Sequence, residues 1–130
     1  MSRPRAFHPL PVAEVIAETE DACSLVLDVP PGLAGAFTYR PGQFLTIRVP
    51  GSDGPVARCY SLSSSPHTGD RHTITVKRAG YASNWIADHV RAGTVLQSFP
   101  HPNLVQGLAW HGNLLATGCD DQKIRIWDTA

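Results

Sequence analysis

The segment Arg58-Cys59-Tyr60-Ser61 carries side chains suited to an anionic, aromatic ligand. Alternation along a strand places Arg58 and Tyr60 on one face, with Ser61 on the other side of the following bend. A guanidinium can form two parallel hydrogen bonds to a pyrophosphate, and an aromatic ring can cover a flat heterocycle. A small hydroxyl can bond the edge of that heterocycle without crowding it. A flavin dinucleotide needs such a set, although the motif is short and its residues could equally be ordinary surface residues of a strand.

Two flanking segments favour the flavin interpretation by their order along the chain. Tyr39–Phe44 (YRPGQF) lies upstream, and Thr73–Lys77 lies downstream, followed by Gly80-Tyr81-Ala82-Ser83 at the start of a predicted helix. The first turn of a helix offers free N–H groups and the positive end of the helix dipole, which suit a diphosphate. Gly80 has no side chain, so the backbone there can approach a ligand closely.

The elements around these motifs have the pattern of a small β protein. Short alternating runs separated by turn signals predict five strands and the start of a sixth. The predicted strands are Val12–Thr19, Ser24–Val29, Gln43–Val49, Val56–Ser61, His72–Lys77 and Thr94–Gln97. One helix is predicted over Asn84–Val90, with Ser83 as its N-cap and Gly93 at its C-terminal stop. Short strands with one helix favour a closed or partly open barrel in a mainly all-β fold.

The ordered set YRPGQF…RCYSLSSSP…ITVKRAGYASNW resembles the FAD-binding domain of the ferredoxin–NADP reductase superfamily. Within it, the reductase components of bacterial Rieske-type oxygenases are the most similar. The resemblance covers about residues 8–97 and implies a six-stranded antiparallel Greek-key barrel with one capping helix. The cofactor-binding residues that it implies are Arg58 on the pyrophosphate, Tyr60 stacked on the flavin, Ser61 at its reactive nitrogen, Thr75, Val76 and Lys77 bordering the ring by backbone, and Gly80, Ala82 and Ser83 holding the phosphates. FAD is the implied cofactor, and FMN stays open because adenine contacts come from less regular loops.

The last third of the chain is similar to one WD-repeat blade of a β-propeller. Strands are predicted over Leu104–Trp110, Asn113–Thr117 and Lys123–Trp127, and Thr94–Phe99 fits the outer strand that precedes such a blade. The similarity implies a buried hydrogen-bond network, for which the matching residues are His101, Asp121, Thr117 and Trp127. Pro100 replaces the usual glycine of the repeat, and Trp110 is assigned to the core.

A single blade has no neighbours against which to bury its faces. We therefore expect a division into a barrel over residues 1–97 and a WD-like segment over residues 98–130. The segment would complete the barrel, pack on it as a small sheet of three to four strands, pair with another chain or stay loose. Its exposed strand edges favour homo-oligomers.

The composition is that of one neutral globular domain. The 130 residues include 11 acidic and 11 basic side chains, so charge gives no argument for nucleic acid or an anionic membrane as a partner. Apolar runs are shorter than the roughly 20 residues of a membrane helix, and no secretory signal is evident. The six histidines show no metal-ligand spacing. The separated cysteines Cys23, Cys59 and Cys119 fit reduced thiols in the cytoplasm, with redox sensitivity open for Cys59 beside the flavin motif.

Three functional interpretations stay open from the sequence. The first is an FAD-binding module of an NAD(P)H-dependent, ferredoxin-reductase-type oxidoreductase. No glycine-rich nicotinamide motif and no cysteine cluster for an iron–sulfur centre occur in the sequence, so we expect no complete electron transfer and leave enzymatic activity undecided. The second is an engineered or recombined chimera that keeps a fold without an activity, and the third is a self-associating β interaction module.

Overall fold

The computed structural model describes residues 7–101, 105–119 and 124–129, and these ranges are mainly antiparallel β structure. The strands are β1 His8–Thr19, β2 Ala22–Leu27, β3 Phe44–Val49, β4 Val56–Ser61, β5 Thr73–Lys77, β6 Val95–Pro100, β7 Val105–His111, β8 Leu114–Cys119 and β9 Ile124–Asp128. The helix α1 spans Tyr81–His89, between β5 and β6. It is not long and apolar enough to cross a membrane, and no other described helix is either.

Strands β1 to β6 form one antiparallel sheet in the order β4-β3-β6-β1-β2-β5. The last of these strands, β6, returns between β1 and β3, which is the long connection of a Greek key. The two edge strands meet where Leu62 bridges Ile74, and beside it the Ser63 N–H donates to the Thr73 carbonyl at 2.8 Å. The predicted six-stranded Greek-key barrel with one helix is therefore confirmed.

The barrel interior is filled by the inward-facing side chains of its strands. Leu10, Leu25, Ile47 and Ile74 are completely inaccessible to solvent. Helix α1 lies against β3, β4 and β5 and adds Ile86 to this core. A buried aliphatic side chain contributes about 1.5–3 kcal/mol relative to an exposed one. The core thus fixes the helix, and with it the loop before the helix, against β4 and β5.

Strand β1 begins four residues earlier than predicted and includes Pro9 and Pro11. Over these residues it pairs with β6, where Pro9 lies opposite Gln97 and Pro11 opposite Val95. Val12 exchanges hydrogen bonds with Gly93 and Thr94 on that side, whereas the Pro11 carbonyl accepts from Asp28 on the other. N–H directions alternate along a strand, so the missing N–H groups of both prolines would have pointed away from β6. The prolines therefore remove no hydrogen bond from the ladder between β1 and β6.

Strands β7, β8 and β9 form a separate three-stranded antiparallel sheet, here called the C-terminal sheet. Gly112, with φ of 58°, lies in the tight turn between β7 and β8. Among the described residues no ladder joins this sheet to the barrel, but its Leu115 and Trp127 pack on Phe99 of β6. The three predicted strands are confirmed to within two residues at their ends. Self-association through the edge strands stays a prediction.

Candidate functional site

A cleft of about 510 Å³ lies where β4, the end of β5, the start of α1 and strand β7 come together. This volume is within the usual range of small-molecule sites. Six of the nine predicted cofactor-binding residues line it, namely Arg58, Tyr60, Lys77, Gly80, Ala82 and Ser83. The other three, Ser61, Thr75 and Val76, are not among its lining residues. The convergence is notable because the six come from two separate stretches of the chain.

Strand β4 presents Arg58 and Tyr60 on the face towards the cleft, as the alternation predicted. Pairing with β3 fixes this register, since Ile47 lies opposite Arg58 and Leu45 opposite Tyr60. Tyr60 is half-buried against the barrel core, and this burial raises the pKa of its phenol, so the ring is neutral at physiological pH. Arg58 is exposed and its Nη1 donates to the Ala57 carbonyl at 2.7 Å.

The start of α1 differs from the prediction. The N-cap is Gly80 and not Ser83, and the helix begins at Tyr81. Ser83 is buried within the first turn, where its Oγ accepts the N–H groups of Ala79 at 2.8 Å and Gly80 at 3.0 Å. Its hydroxyl shapes the turn that precedes the helix, and this local geometry cannot be read from a pattern of residue types alone.

Gly80 leaves open space at the helix start. A Cβ placed there would meet no atom within 4 Å, and the backbone, with φ of −161°, is in a conformation open to any residue. Neither packing nor the backbone dihedral angles therefore require glycine at this position. The missing side chain instead leaves room beside the free N–H groups of the first helical turn.

The three predicted residues outside the cleft serve the barrel in different ways. Ser61 ends β4 and lies opposite Phe44 of β3. Thr75 is exposed, and its Oγ1 is hydrogen-bonded to Ser24 at 2.8 Å and to Ser63 at 2.9 Å. The side chain of Val76 is buried in the core, so any contact of Val76 with a ligand must use its backbone. The implied backbone role of these β5 residues stays a prediction.

Strands β4 and β5 are the two edges of the six-stranded sheet, and the cleft lies beside the gap between them. Each is paired on one side only, β4 with β3 and β5 with β2. The only described bridge across the gap joins Leu62 to Ile74. Edge strands carry backbone N–H and C=O groups without a ladder partner, and such groups can bond a ligand.

Cys59 lies between Arg58 and Tyr60, but its thiol is engaged with the barrel. Its Sγ is 3.3 Å from the Thr46 Oγ1. Burial raises the pKa of the Cys59 thiol, which disfavours the reactive thiolate. The arrangement argues against the redox sensitivity left open from the sequence.

Five residues that line the cleft were not among the predicted cofactor-binding residues. Cys59, Ala79 and Tyr81 are chain neighbours of predicted ones, whereas Leu108 and Trp110 come from β7. Leu108 is 45% exposed, and Trp110 is half-buried with its ring centroid 5.9 Å from the Arg58 guanidinium carbon. Trp110 was assigned to the core, and it does pack against the cluster around Phe99. Their spacing of two in a predicted strand indicated a common face but not what that face covers.

The hydrogen-bond network implied by the WD-repeat similarity forms only in part. Trp127 Nε1 donates to Thr117 Oγ1 at 2.9 Å in the buried interior of the C-terminal sheet. His101 Nε2, however, is 2.9 Å from the Oγ1 of Thr46 in the barrel. Asp121 lies outside the described residues. The histidine therefore joins the two sheets rather than completing a network within one.

Known proteins are similar to this chain over roughly two thirds of its length. No family model matches it. The ferredoxin reductase component of 3-ketosteroid-9-alpha-monooxygenase from Mycolicibacterium smegmatis is 61% identical over 90 residues, 65% of this chain and 26% of the relative. The component of the same name from Rhodococcus rhodochrous is 51% identical over 94 residues, 70% of this chain and 27% of the relative. The chain thus spans about a quarter of the length of these relatives.

Solved structures agree in fold. The flavohem-like FAD/NAD-binding domain of nitric oxide dioxygenase from Vibrio cholerae has a TM-score of 0.64 at 26% identity, over 82% of this chain and 48% of that one. A ferredoxin NADP+ reductase from Neisseria gonorrhoeae, with a TM-score of 0.57 at 17% identity over 78% of this chain and 44% of that one, shows the fold alone. Together the comparisons support an FAD-binding, ferredoxin-reductase-like domain. They do not support the WD-repeat or chimera interpretations.

Proposed function

We propose, from the likeness to ferredoxin reductase components, that this chain is an FAD-binding module of an electron-transferring oxidoreductase. The observation that carries the proposal is the convergence of Arg58, Tyr60 and the Gly80–Ser83 turn on one cleft. Strand β5 and the loop before it separate Arg58 and Tyr60 from that turn along the chain, and the fold brings them together.

The charged end of the cleft fits a diphosphate. Arg58 supplies a guanidinium, Lys77 a second positive charge, and α1 the N–H groups of its first turn. Hydrogen bonds between charged partners contribute about 1.5–3 kcal/mol each. The open space at Gly80 gives a phosphate access to those N–H groups. In this arrangement Arg58 and the helix start bind the phosphates from two sides.

The aromatic part of the cleft fits the flavin ring. Tyr60 offers a neutral, half-buried ring on the same strand face as Arg58, so one ligand can contact both. FAD, when bound, would supply the chemistry of accepting a hydride and passing on electrons. The residues of this chain would orient it and keep water from part of its surface.

The relatives also suggest the setting of the module. They are reductase components of oxygenase systems by name. We propose that the module likewise belongs to a reductase component that supplies electrons to an oxygenase. The free thiols of Cys23 and Cys59 fit a reducing, cytoplasmic setting.

The test is a flavin titration of the purified protein, followed by flavin absorbance and fluorescence. We expect saturable FAD binding. Arg58→Ala should raise the Kd about tenfold to a hundredfold through the lost charged hydrogen bonds, and Tyr60→Ala about fivefold through the lost stacking. Gly80→Val should raise it about tenfold by filling the cleft. It should also lower the free energy of unfolding by about 1 kcal/mol, because valine is a poorer N-cap than glycine, although its Cβ meets no atom within 4 Å.

Two variants serve as matched controls. Tyr60→Phe keeps the ring and should bind FAD as the wild type does. Arg71→Ala removes an exposed arginine whose ion pair with Asp28 lies away from the cleft, and it should leave the Kd unchanged. Absence of FAD binding by a cooperatively folded wild type would refute the proposal. Equal FMN and FAD affinity would limit the ligand to the flavin mononucleotide part.

A further inference from the structure

The cleft has one wall that does not belong to the barrel. Leu108 and Trp110 are two residues apart on β7, so their side chains lie on the same face of the C-terminal sheet. Both line the cleft together with Arg58 and Tyr60. The barrel alone would leave a bound ring covered on the Tyr60 side only.

Trp110 also contacts the residue that carries the proposed phosphate contact. The Arg58 guanidinium carbon lies 5.9 Å from the centroid of the Trp110 ring, within the range of a cation–π interaction. The other end of this contact is fixed, because Trp110 packs against the cluster of Phe99, Leu115 and Trp127. A long and otherwise exposed arginine side chain is thereby held at the cleft wall before a ligand arrives, which lowers the entropy lost on binding.

We propose that Trp110 is a further flavin-binding residue, which positions Arg58 and covers the ligand from the C-terminal sheet. This inference rests on the proposed function, since it assigns a second wall to the same cleft. The ligand class it fits is a flat aromatic ring joined to a phosphate. Leu108, an exposed apolar side chain of the same face, would lose its contact with water when the ring binds.

The inference is tested by tryptophan fluorescence and flavin dissociation kinetics on the full chain. FAD should quench the emission of Trp110, and this quenching should be lost in Trp110→Leu but kept in Trp85→Leu, whose tryptophan lines a different cleft. Trp110→Leu should raise the FAD Kd about fivefold to tenfold and speed dissociation by a similar factor, from the lost stacking and cation–π contacts. Trp110→Phe should restore part of the affinity.

Leu108→Ser is the variant that separates a binding role from a structural one. Leu108 is 45% exposed and outside the apolar clusters, so the substitution should leave the fold intact. It should raise the Kd about threefold, from the lost apolar contact, while the quenching of Trp110 remains. If Trp110→Leu disturbs the C-terminal sheet, the Kd of Leu108→Ser and the quenching in the wild type still show whether this sheet contacts the flavin.

The outcomes distinguish this inference from the proposed function. Wild-type affinity and wild-type quenching in Trp110→Leu, with FAD bound, would overturn the role of Trp110 and leave the FAD-binding proposal standing. An unchanged Kd in Leu108→Ser together with no quenching in the wild type would do the same. Absence of FAD binding by the wild type would overturn both.

Discussion

At the scale of single residues, His101 is the side chain with the most unusual surroundings. It is 4% exposed and lies among Phe44, Phe99 and Trp127, with ring centroids 4.6, 4.8 and 5.6 Å away. Its Nε2 is bonded to Thr46, and its Nδ1 has no hydrogen-bond partner among the described residues. Burial lowers the pKa of His101 from its ordinary 6.5 to about 4.

This lowered pKa predicts a loss of stability in mild acid. Between pH 6.5 and 4 the unfolded chain binds a proton at His101 and the folded chain does not. The free energy of unfolding therefore decreases as the pH is lowered through this range. The contribution is about 3 kcal/mol, fully present above pH 6.5 and lost by about pH 4. Urea unfolding of the wild type and His101→Gln from pH 4 to 7 measures it. A difference in unfolding free energy between the two proteins that does not vary with pH would contradict the prediction.

The candidate site shows which residue facts the sequence contains. The common face of Arg58 and Tyr60 follows from strand alternation, and the structure places both at the cleft. The contact of His101 with Thr46 spans 55 positions, and no local pattern encodes it. The same applies to Trp110, since its place beside Arg58 depends on how two sheets pack.

At the scale of elements, the start of α1 combines a structural and a proposed functional role. Ser83 holds the turn before the helix with two hydrogen bonds, while Gly80 leaves the space in front of it open. The buried Ser83 hydroxyl thus stabilises the turn before the helix, and the N–H groups of the first helical turn stay available to a ligand.

We expect Ser83→Ala to lower the free energy of unfolding by about 1–2 kcal/mol, because the N–H groups of Ala79 and Gly80 lose their acceptor. FAD affinity should fall as well, since the turn no longer holds its shape. Denaturant unfolding and flavin titration measure the two effects. The exposed neighbour Asn84→Ala, which loses only the bond from Arg78, is the control. Full stability with lost FAD binding would instead mean that the hydroxyl contacts the phosphate directly.

The sequence predicted most elements because alternation and turn residues are local signals. Strand β4 agrees in both bounds, and β3 and β5 agree to within one residue. The errors lie where tertiary pairing decides the outcome. Strand β1 extends over two prolines because β6 pairs with it on the side where prolines lose no donor. Helix α1 begins three residues early because a glycine serves as its N-cap.

At the scale of the whole molecule, Phe99 connects the barrel to the C-terminal sheet. It lies opposite Thr46 of β3, next to the last pair of that ladder, and its ring centroid is 4.6 Å from that of Trp127. The division into residues 1–97 and 98–130 stays a proposal. Phe99, close to the proposed boundary, belongs to an apolar cluster that contains residues of both the barrel and the C-terminal sheet.

We therefore expect the two sheets to unfold together. In Trp85→Leu, tryptophan fluorescence reports on Trp110 and Trp127 alone, and it should change at the same denaturant concentration as far-UV circular dichroism. Phe99→Ala should lower the free energy of unfolding by about 3–5 kcal/mol. Val95→Ala, at an exposed position of the same strand, should cost less than about 1 kcal/mol. A fluorescence transition that precedes the dichroism transition in Trp85→Leu would show that the C-terminal sheet unfolds by itself.

The gap between β4 and β5 has a consequence for the life of the protein in a cell. A ligand hydrogen-bonded to the edges of both strands would link them across the gap, and its binding would stabilise the folded barrel. At a hundredfold excess over the Kd this addition is about 2.7 kcal/mol. The supply of flavin would then determine what fraction of the protein is unfolded and accessible to proteases. Molecules without cofactor would be degraded first, and those with bound flavin would persist.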